Sequence, residues 1–119
     1  MKYAIKYFNE VCIIELSGRI DFISSQFLDK ILENRISKGN FKIIIDFESV
    51  EYIGSNGLSV LINKLIECKD NSGDIKFIRV SADILNMVKN LRLDKIFDIF
   101  DSVENAIDGF YIGGENGKN

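Results

Sequence analysis

Few groups in this chain are able to make or break bonds, and the most unusual cluster is Gly54-Ser55-Asn56-Gly57, set between a β-branched run and an amphipathic segment. A nucleophilic serine needs a general base. The 119 residues contain no histidine, which excludes histidine-dependent triads and removes the commonest transition-metal ligand. GSNG is not the G-x-S-x-G turn of a hydrolase, and the Gly-Lys-Ser/Thr ending of a phosphate-cradling loop is missing. The Ser55 hydroxyl is left with two roles. As an N-cap it accepts a bond from a free backbone N–H of the first helical turn, worth about 1 kcal/mol, and local chemistry alone favours this role. As a phosphate acceptor it carries an anion at a helix terminus whose free N–H groups and positive dipole end suit one. Gly57 costs about 1 kcal/mol relative to alanine in an ordinary helix, so the fold alone explains it poorly. A small residue there lets something approach the helix N-terminus closely.

The carboxylates offer less. Asp46 reads as an acid at the end of a strand, Asp21 as either a turn residue or a loop acid, and no pair of acids converges visibly for acid-base work. Cys12 and Cys68 lack the spacing of a metal or redox motif and lie on apolar stripes, so both are expected to be buried thiols. No metal, cofactor or catalytic residue is expected, and the chain does not read as an enzyme.

The elements that must position the hinge follow from periodicity. Tyr3, Ile5 and Tyr7 alternate with polar or small residues, and VCIIEL continues after an Asn9-Glu10 turn, predicting an antiparallel hairpin. Ser17 to Asp21 breaks that pattern. Phe27, Leu28, Ile31 and Leu32 then recur at helical spacing, predicting a helix over 24–38 capped by Gly39. FKIIIDF is the nearly continuous run of a strand covered on both faces. A second helix over 55–69 turns Leu58, Leu61, Ile62, Leu65, Ile66 and Cys68 inward, and Asn56, Ser59, Asn63, Lys64 and Glu67 outward. Val60 falls on the outward side, beside Asn56 and Asn63. IKFIRV predicts a strand and Ser81 caps a helix burying Ile84, Met87, Val88 and Leu91. KIFDIF predicts a last strand, and Asp101 with Glu104 resembles a capping box for a helix carrying Val103, Ala106, Ile107 and Phe110. The order β-β-α-β-α-β-α-β-α predicts an α/β fold: a mainly parallel sheet of about five strands with an antiparallel N-terminal edge and about four helices. Ligands and partners meet such sheets at the carboxyl ends of the strands, where the hinge lies.

Bulk properties narrow the partners. With 46% hydrophobic and 28% charged residues the chain supports one compact domain. Fifteen basic and 18 acidic residues give a net charge of −3 with no basic block, which argues against nucleic acid or an anionic membrane. The first residues lack a secretory h-region and no apolar run is long enough to span a bilayer, so a cytoplasmic protein is expected. Residues 1–112 are expected to form the domain, and 113–119, GGENGKN, a disordered tail.

Three segments in order, ELSGRIDFISSQFLDKIL, KIIIDFESVEYIGSNGLSVLINKL and IKFIRVSADILNMVKNLRLDKIFDIF, resemble the STAS domain of bacterial anti-sigma factor antagonists. They contain a Gly-x-Leu/Ile-Asp turn at Gly18 to Asp21, a strand ending in Asp-Phe, and a counterpart of the family's Asp-Ser-Ser-Gly-Leu segment at the second helix. A response-regulator receiver is similar in its alternating architecture only, because the first strand here ends in no acidic pair for magnesium. The STAS resemblance implies that Ser55 is phosphorylated by an anti-sigma factor that is itself a serine kinase, that a serine phosphatase reverses this, and that only the unphosphorylated form binds the anti-sigma factor and releases sigma. It implies a partner surface of Asp21, Gly54, Ser55, Asn56, Gly57, Ser59, Val60 and Asn63, on a monomer or weak dimer. Gly54 replaces the family's aspartate and Asn56 its second serine. That departure keeps open a second expectation, a STAS interaction module that is never phosphorylated.

Overall fold

The structure, a computed structural model, describes residues 1–113. The chain runs β1 (Lys2–Phe8), β2 (Val11–Ile20), α1 (Phe22–Ser37), β3 (Lys42–Ile53), α2 (Ser55–Asp70), β4 (Asp74–Ile78), α3 (Ala82–Asn90), β5 (Asp98–Phe100) and α4 (Val103–Asp108). A 3-10 turn, Leu93–Lys95, precedes β5, and a π-helical turn, Gly109–Gly113, follows α4. The expected tail, apart from Gly113, lies outside the described residues. The five strands pair in sequence order, with β1 antiparallel to β2 and the other pairs parallel, as the alternation predicts.

Sequential parallel strands joined by crossovers of one hand place the crossover helices on one face of the sheet. Cys12, Ile14, Leu16, Ile43, Ile45 and Phe47 accordingly join Leu32, Leu61 and Ile84 in the larger core. The alternate residues Val11, Ile13, Ile44 and Ile78 pack on the other face with Ala106 of α4. Burial on both faces is the reason that FKIIIDF is apolar without alternation. Both thiols are buried and free, and burial pushes the Cys68 thiol up to about 12.

Several boundaries differ from the sequence expectations, each for a local reason. The break at Ser17 to Asp21 is not the end of β2. Gly18 takes φ +96° and the register with β3 slips at two points, so β2 is bulged and runs on to Ile20. β3 likewise continues past FKIIIDF to Ile53, and β4 stops opposite Asp46. Phe47 to Ile53 therefore pairs within the sheet with β2 alone, as a two-stranded extension leading to the hinge. Asp46 lies inside β3, not at its end, where Arg79 donates to it through Nη2 (2.6 Å) and Nε (3.3 Å). α1 starts at Phe22, two residues early, because Asp21 caps it. Lys95, Ile96 and Phe97 fall outside β5, and α4 is capped by Ser102 in place of Asp101. Phe27, Ile66 and Leu91, at the margins of their helical stripes, are exposed.

A charged side chain is buried on the α4 face of the sheet. Lys76 is almost fully buried, with Nζ 2.7 Å from Asp98 of β5 and 3.0 Å from Asp74. Its ammonium also lies 4.8 Å from the Phe110 ring centroid and 5.4 Å from that of Phe100. Burial pulls the ammonium toward deprotonation, but hydrogen bonds and charges from Asp98 and Asp74 outweigh it and raise its pKa above the ordinary lysine value. Lys76→Ala is expected to destabilise the fold by about 2 kcal/mol, less than the loss of a fully buried pair because Asp98 is half exposed. Urea unfolding measures this, and an unchanged midpoint would refute the clamp.

Candidate functional site

The site is built where β2 and β3 end side by side. Their register pairs Arg19 with Tyr52 and Ile20 with Ile53, so the next residues, Asp21 and Gly54, open α1 and α2 next to each other. The Gly54 N–H donates to the Ile20 carbonyl at 2.9 Å, tying the hinge to β2, and the Gly54 carbonyl accepts the Leu58 N–H at 3.1 Å. Gly54 is itself the N-cap, with extended backbone (φ −95°, ψ 179°). This corrects the expectation for Ser55, which is the first helical residue and not the cap. Its backbone has already turned into the helix, so its side chain is out of place to receive the first-turn N–H groups.

Capping separates α2 from the other α-helices among the described residues. Asp21 Oδ1 accepts the Ser24 N–H (3.0 Å) while the Asp21 N–H donates to Ser24 Oγ (2.8 Å), a reciprocal capping box. The backbone N–H and hydroxyl of Ser24 hold the Asp21 carboxyl below the usual aspartate range. Its stabilising effect is therefore present above the unfolded pKa and is lost as pH falls through the lower folded value. Ser81 caps α3 and Ser102 caps α4 through their side-chain oxygens. α2 has no side-chain cap at all. Its first-turn N–H groups lack the side-chain acceptor that the other three helices possess, and Ser55 and Asn56 of that turn are exposed.

The remaining expected site residues divide by exposure. Ser59 and Asn63 are exposed on the same helix. Val60 is half-buried and packs against the margin of the larger core, so its placement on the solvent side is corrected. Gly57 is buried. A Cβ there would meet Ile20 Cγ2 at 2.7 Å and Ile53 Cγ1 at 2.8 Å. The group that approaches the helix so closely is thus the protein's own pair of strand ends, and packing explains Gly57 after all. Asp21 serves both of its readings, as the turn residue that caps α1 and, by register, as an acid beside the hinge.

Sequence reasoning missed Arg19, whose guanidinium lies 4.3 Å from the Tyr52 ring centroid. The Tyr52 hydroxyl is in turn 3.1 Å from where a Gly54 Cβ would stand. It also missed the exposed Phe22 and Ile23 at the start of α1. The bulge conceals the first pair by shifting the alternation, and a helix beginning at residue 24 leaves the second out. Among the described residues no group of three or more His, Cys, Asp or Glu side chains is arranged to hold a metal ion.

Gly57→Ala tests the close approach. Overpacking against two buried isoleucines costs about 1–3 kcal/mol, against about 1 kcal/mol gained in helix propensity. A net loss of about 1 kcal/mol is expected in chemical denaturation, and a net gain of that size would contradict the packing account.

Comparison with known proteins agrees with this fold. The family model described as "STAS domain" matches residues 2–106. Anti-sigma-F factor antagonist RsfB of Mycobacterium tuberculosis is 25% identical over 103 residues, covering 85% of this chain and 82% of RsfB. A crystal structure of a Thermotoga maritima protein superposes with a TM-score of 0.86 at 21% identity, covering 91% of this chain and 93% of that one. The anti-sigma factor antagonist SpoIIAA in its unphosphorylated form gives a TM-score of 0.72 at 21% identity, covering 90% and 96%. Bacillus SpoIIAA in its phosphorylated form gives 0.72 at 20%, covering 90% and 97%. With five strands in this order, helices opening from the adjacent ends of β2 and β3, and a family match over nearly all of its length, the chain belongs to the STAS domain family.

Proposed function

We propose that this STAS protein is an anti-sigma factor antagonist that acts by partner switching. In its unphosphorylated form it binds an anti-sigma factor that is also a serine kinase, which releases sigma. Phosphorylation of Ser55 by that kinase ends the binding, and a serine phosphatase restores it. The observation that carries this reading is the uncapped start of α2 beneath an exposed Ser55, where each of the other three described α-helices has a side-chain cap. A phosphoryl group on Ser55 would bring roughly −1.5 to −2 charges and three acceptor oxygens to these N–H groups. It would add bulk and charge to the surface formed by Ser55, Asn56, Ser59 and Asn63 without refolding the domain. The likeness to RsfB and to both forms of SpoIIAA supports the same reading.

Gly54 favours a second reading. The family's aspartate is absent and the glycine leaves the cap position without a carboxylate, which suits a STAS interaction module that is not phosphorylated. The two readings part on one experiment. Incubation with an anti-sigma kinase that binds the protein, followed by peptide mass mapping, is expected to place one phosphate on Ser55 and none on Ser55→Ala. Ser55→Asp is expected to weaken that binding at least tenfold. An unmodified Ser55 after incubation with a bound kinase, or a Ser55→Asp protein of unchanged affinity, would overturn the switch in favour of the module.

A further inference from the structure

Among the described residues, β1 is the one strand whose helix-side face is left largely uncovered. α1, α2 and α3 pack over the larger core, yet Tyr3 and Tyr7 of β1 are half exposed and Ile5 reaches that core only in part. Between β1 and α1 runs an open groove of about 540 Å³, its walls formed by Tyr3, Ile5, Phe27 and Ile31 and its cations supplied by Lys30 and Arg35. Ile23 and Phe27, exposed at 66% and 61%, extend the apolar surface along the first turns of α1. A sheet face left bare beside its own helical layer is an incomplete layer, and so large an exposed apolar patch marks an interaction surface.

The charges in the groove indicate what covers it. The acids of α1 point the other way: Asp29 and Glu33 pair with Lys64 of α2 at 3.5 Å and 2.5 Å. Lys30 and Arg35 form no ion pair among the described residues. Arg35 is part-buried and held by neutral groups only, donating through Nη1 to the Tyr7 hydroxyl (2.7 Å) and through Nη2 to Asn34 Oδ1 (2.7 Å). Its Nε is buried with no acceptor. A part-buried guanidinium with neutral partners and one empty donor lacks its counter-ion.

We propose that this groove docks an amphipathic helix of a partner protein, which lays an apolar stripe over Tyr3, Ile5, Phe27 and Ile31 and brings carboxylates to Arg35 and Lys30. A helix fits because it completes the layer beside α1 at the usual 8–10 Å spacing. β1 with 7 residues and α1 with 16 give the groove a length near 23–24 Å, which matches about four helical turns. A second copy fits poorly, since a two-fold contact sets each copy's Lys30 and Arg35 toward those of the other. Residues 114–119, GENGKN, contain no apolar side chain to fill the groove. The site is separate from Ser55 and does not depend on its phosphorylation.

The probe is a phage-displayed library of helical peptides of about 18 randomised residues, selected on the full chain. Enriched peptides are expected to combine apolar residues at i, i+3, i+4 and i+7 with Asp or Glu beside the stripe. Phe27→Asp, a change at an exposed position confirmed as folded by circular dichroism, is expected to weaken synthetic versions at least tenfold. Arg35→Glu is expected to do the same and to be rescued by exchanging the peptide's acid for lysine. Absence of any peptide enriched on the wild type over Phe27→Asp, enriched peptides without acids, or a charge exchange without rescue would each overturn the proposal. A concentration-dependent dimer in sedimentation that Phe27→Asp abolishes would overturn it in favour of a second copy.

Discussion

The first turn of α2 sits almost in contact with the ends of β2 and β3, and the arrangement of the carboxyl edge depends on that approach. Gly57 permits it, because any Cβ would collide with Ile20 and Ile53, and the 2.9 Å bond from the Gly54 N–H to the Ile20 carbonyl fixes it. With α2 so anchored, the chain must enter the helix within one residue of the strand. Gly54 becomes the cap and Ser55 is carried into the helix with its side chain exposed. The parallel register then sets Asp21 and α1 alongside. An N-terminus that carries no cap of its own and stands on two rigid strands is a fixed platform for charge, where a phosphoryl group changes the surface rather than the fold.

The rest of the molecule keeps that platform rigid through a few pairings between elements. Asp46, buried inside β3, is met by Arg79 immediately beyond β4, in a left-handed backbone conformation (φ 54°). Lys76 links β4 to β5 and reaches the rings of Phe100 and Phe110. Lys64 joins α2 to the acids of α1. The last pairing also explains the opposite flank of α1: with Asp29 and Glu33 engaged, its cations face the uncovered strand without carboxylates. The uncapped α2 and the unroofed β1 are therefore two separate surfaces, the first proposed to take a small charged modification and the second a partner helix.

The order of elements and the sheet topology were legible in the sequence because they rest on strong patterns, such as the apolar FKIIIDF and the Leu58, Leu61, Leu65 stripe. The extended strand ends were not. A bulge at Gly18 shifts alternation by a residue, so the pattern breaks where β2 bends and conceals the Arg19–Tyr52 stack. Gly57 showed as an anomaly whose cause, contact with Ile20 and Ile53, is tertiary and invisible to spacing. Ser55 was visible as the hinge hydroxyl, but the capping preference of serine pointed to the wrong residue; a one-residue difference at a helix start is beyond what propensity resolves. The groove over β1 left only the faint signal of aromatic residues on an edge strand.

The central proposal is that the uncapped start of α2 accepts a phosphoryl group on Ser55. Intact-mass analysis and site mapping of the protein purified from its own cells, with and without phosphatase treatment, test it most directly. The account predicts a singly phosphorylated fraction, mapped to Ser55 and removed by the phosphatase. A chain without phosphate on Ser55 under every growth condition would contradict it and leave the α2 terminus as a docking surface alone.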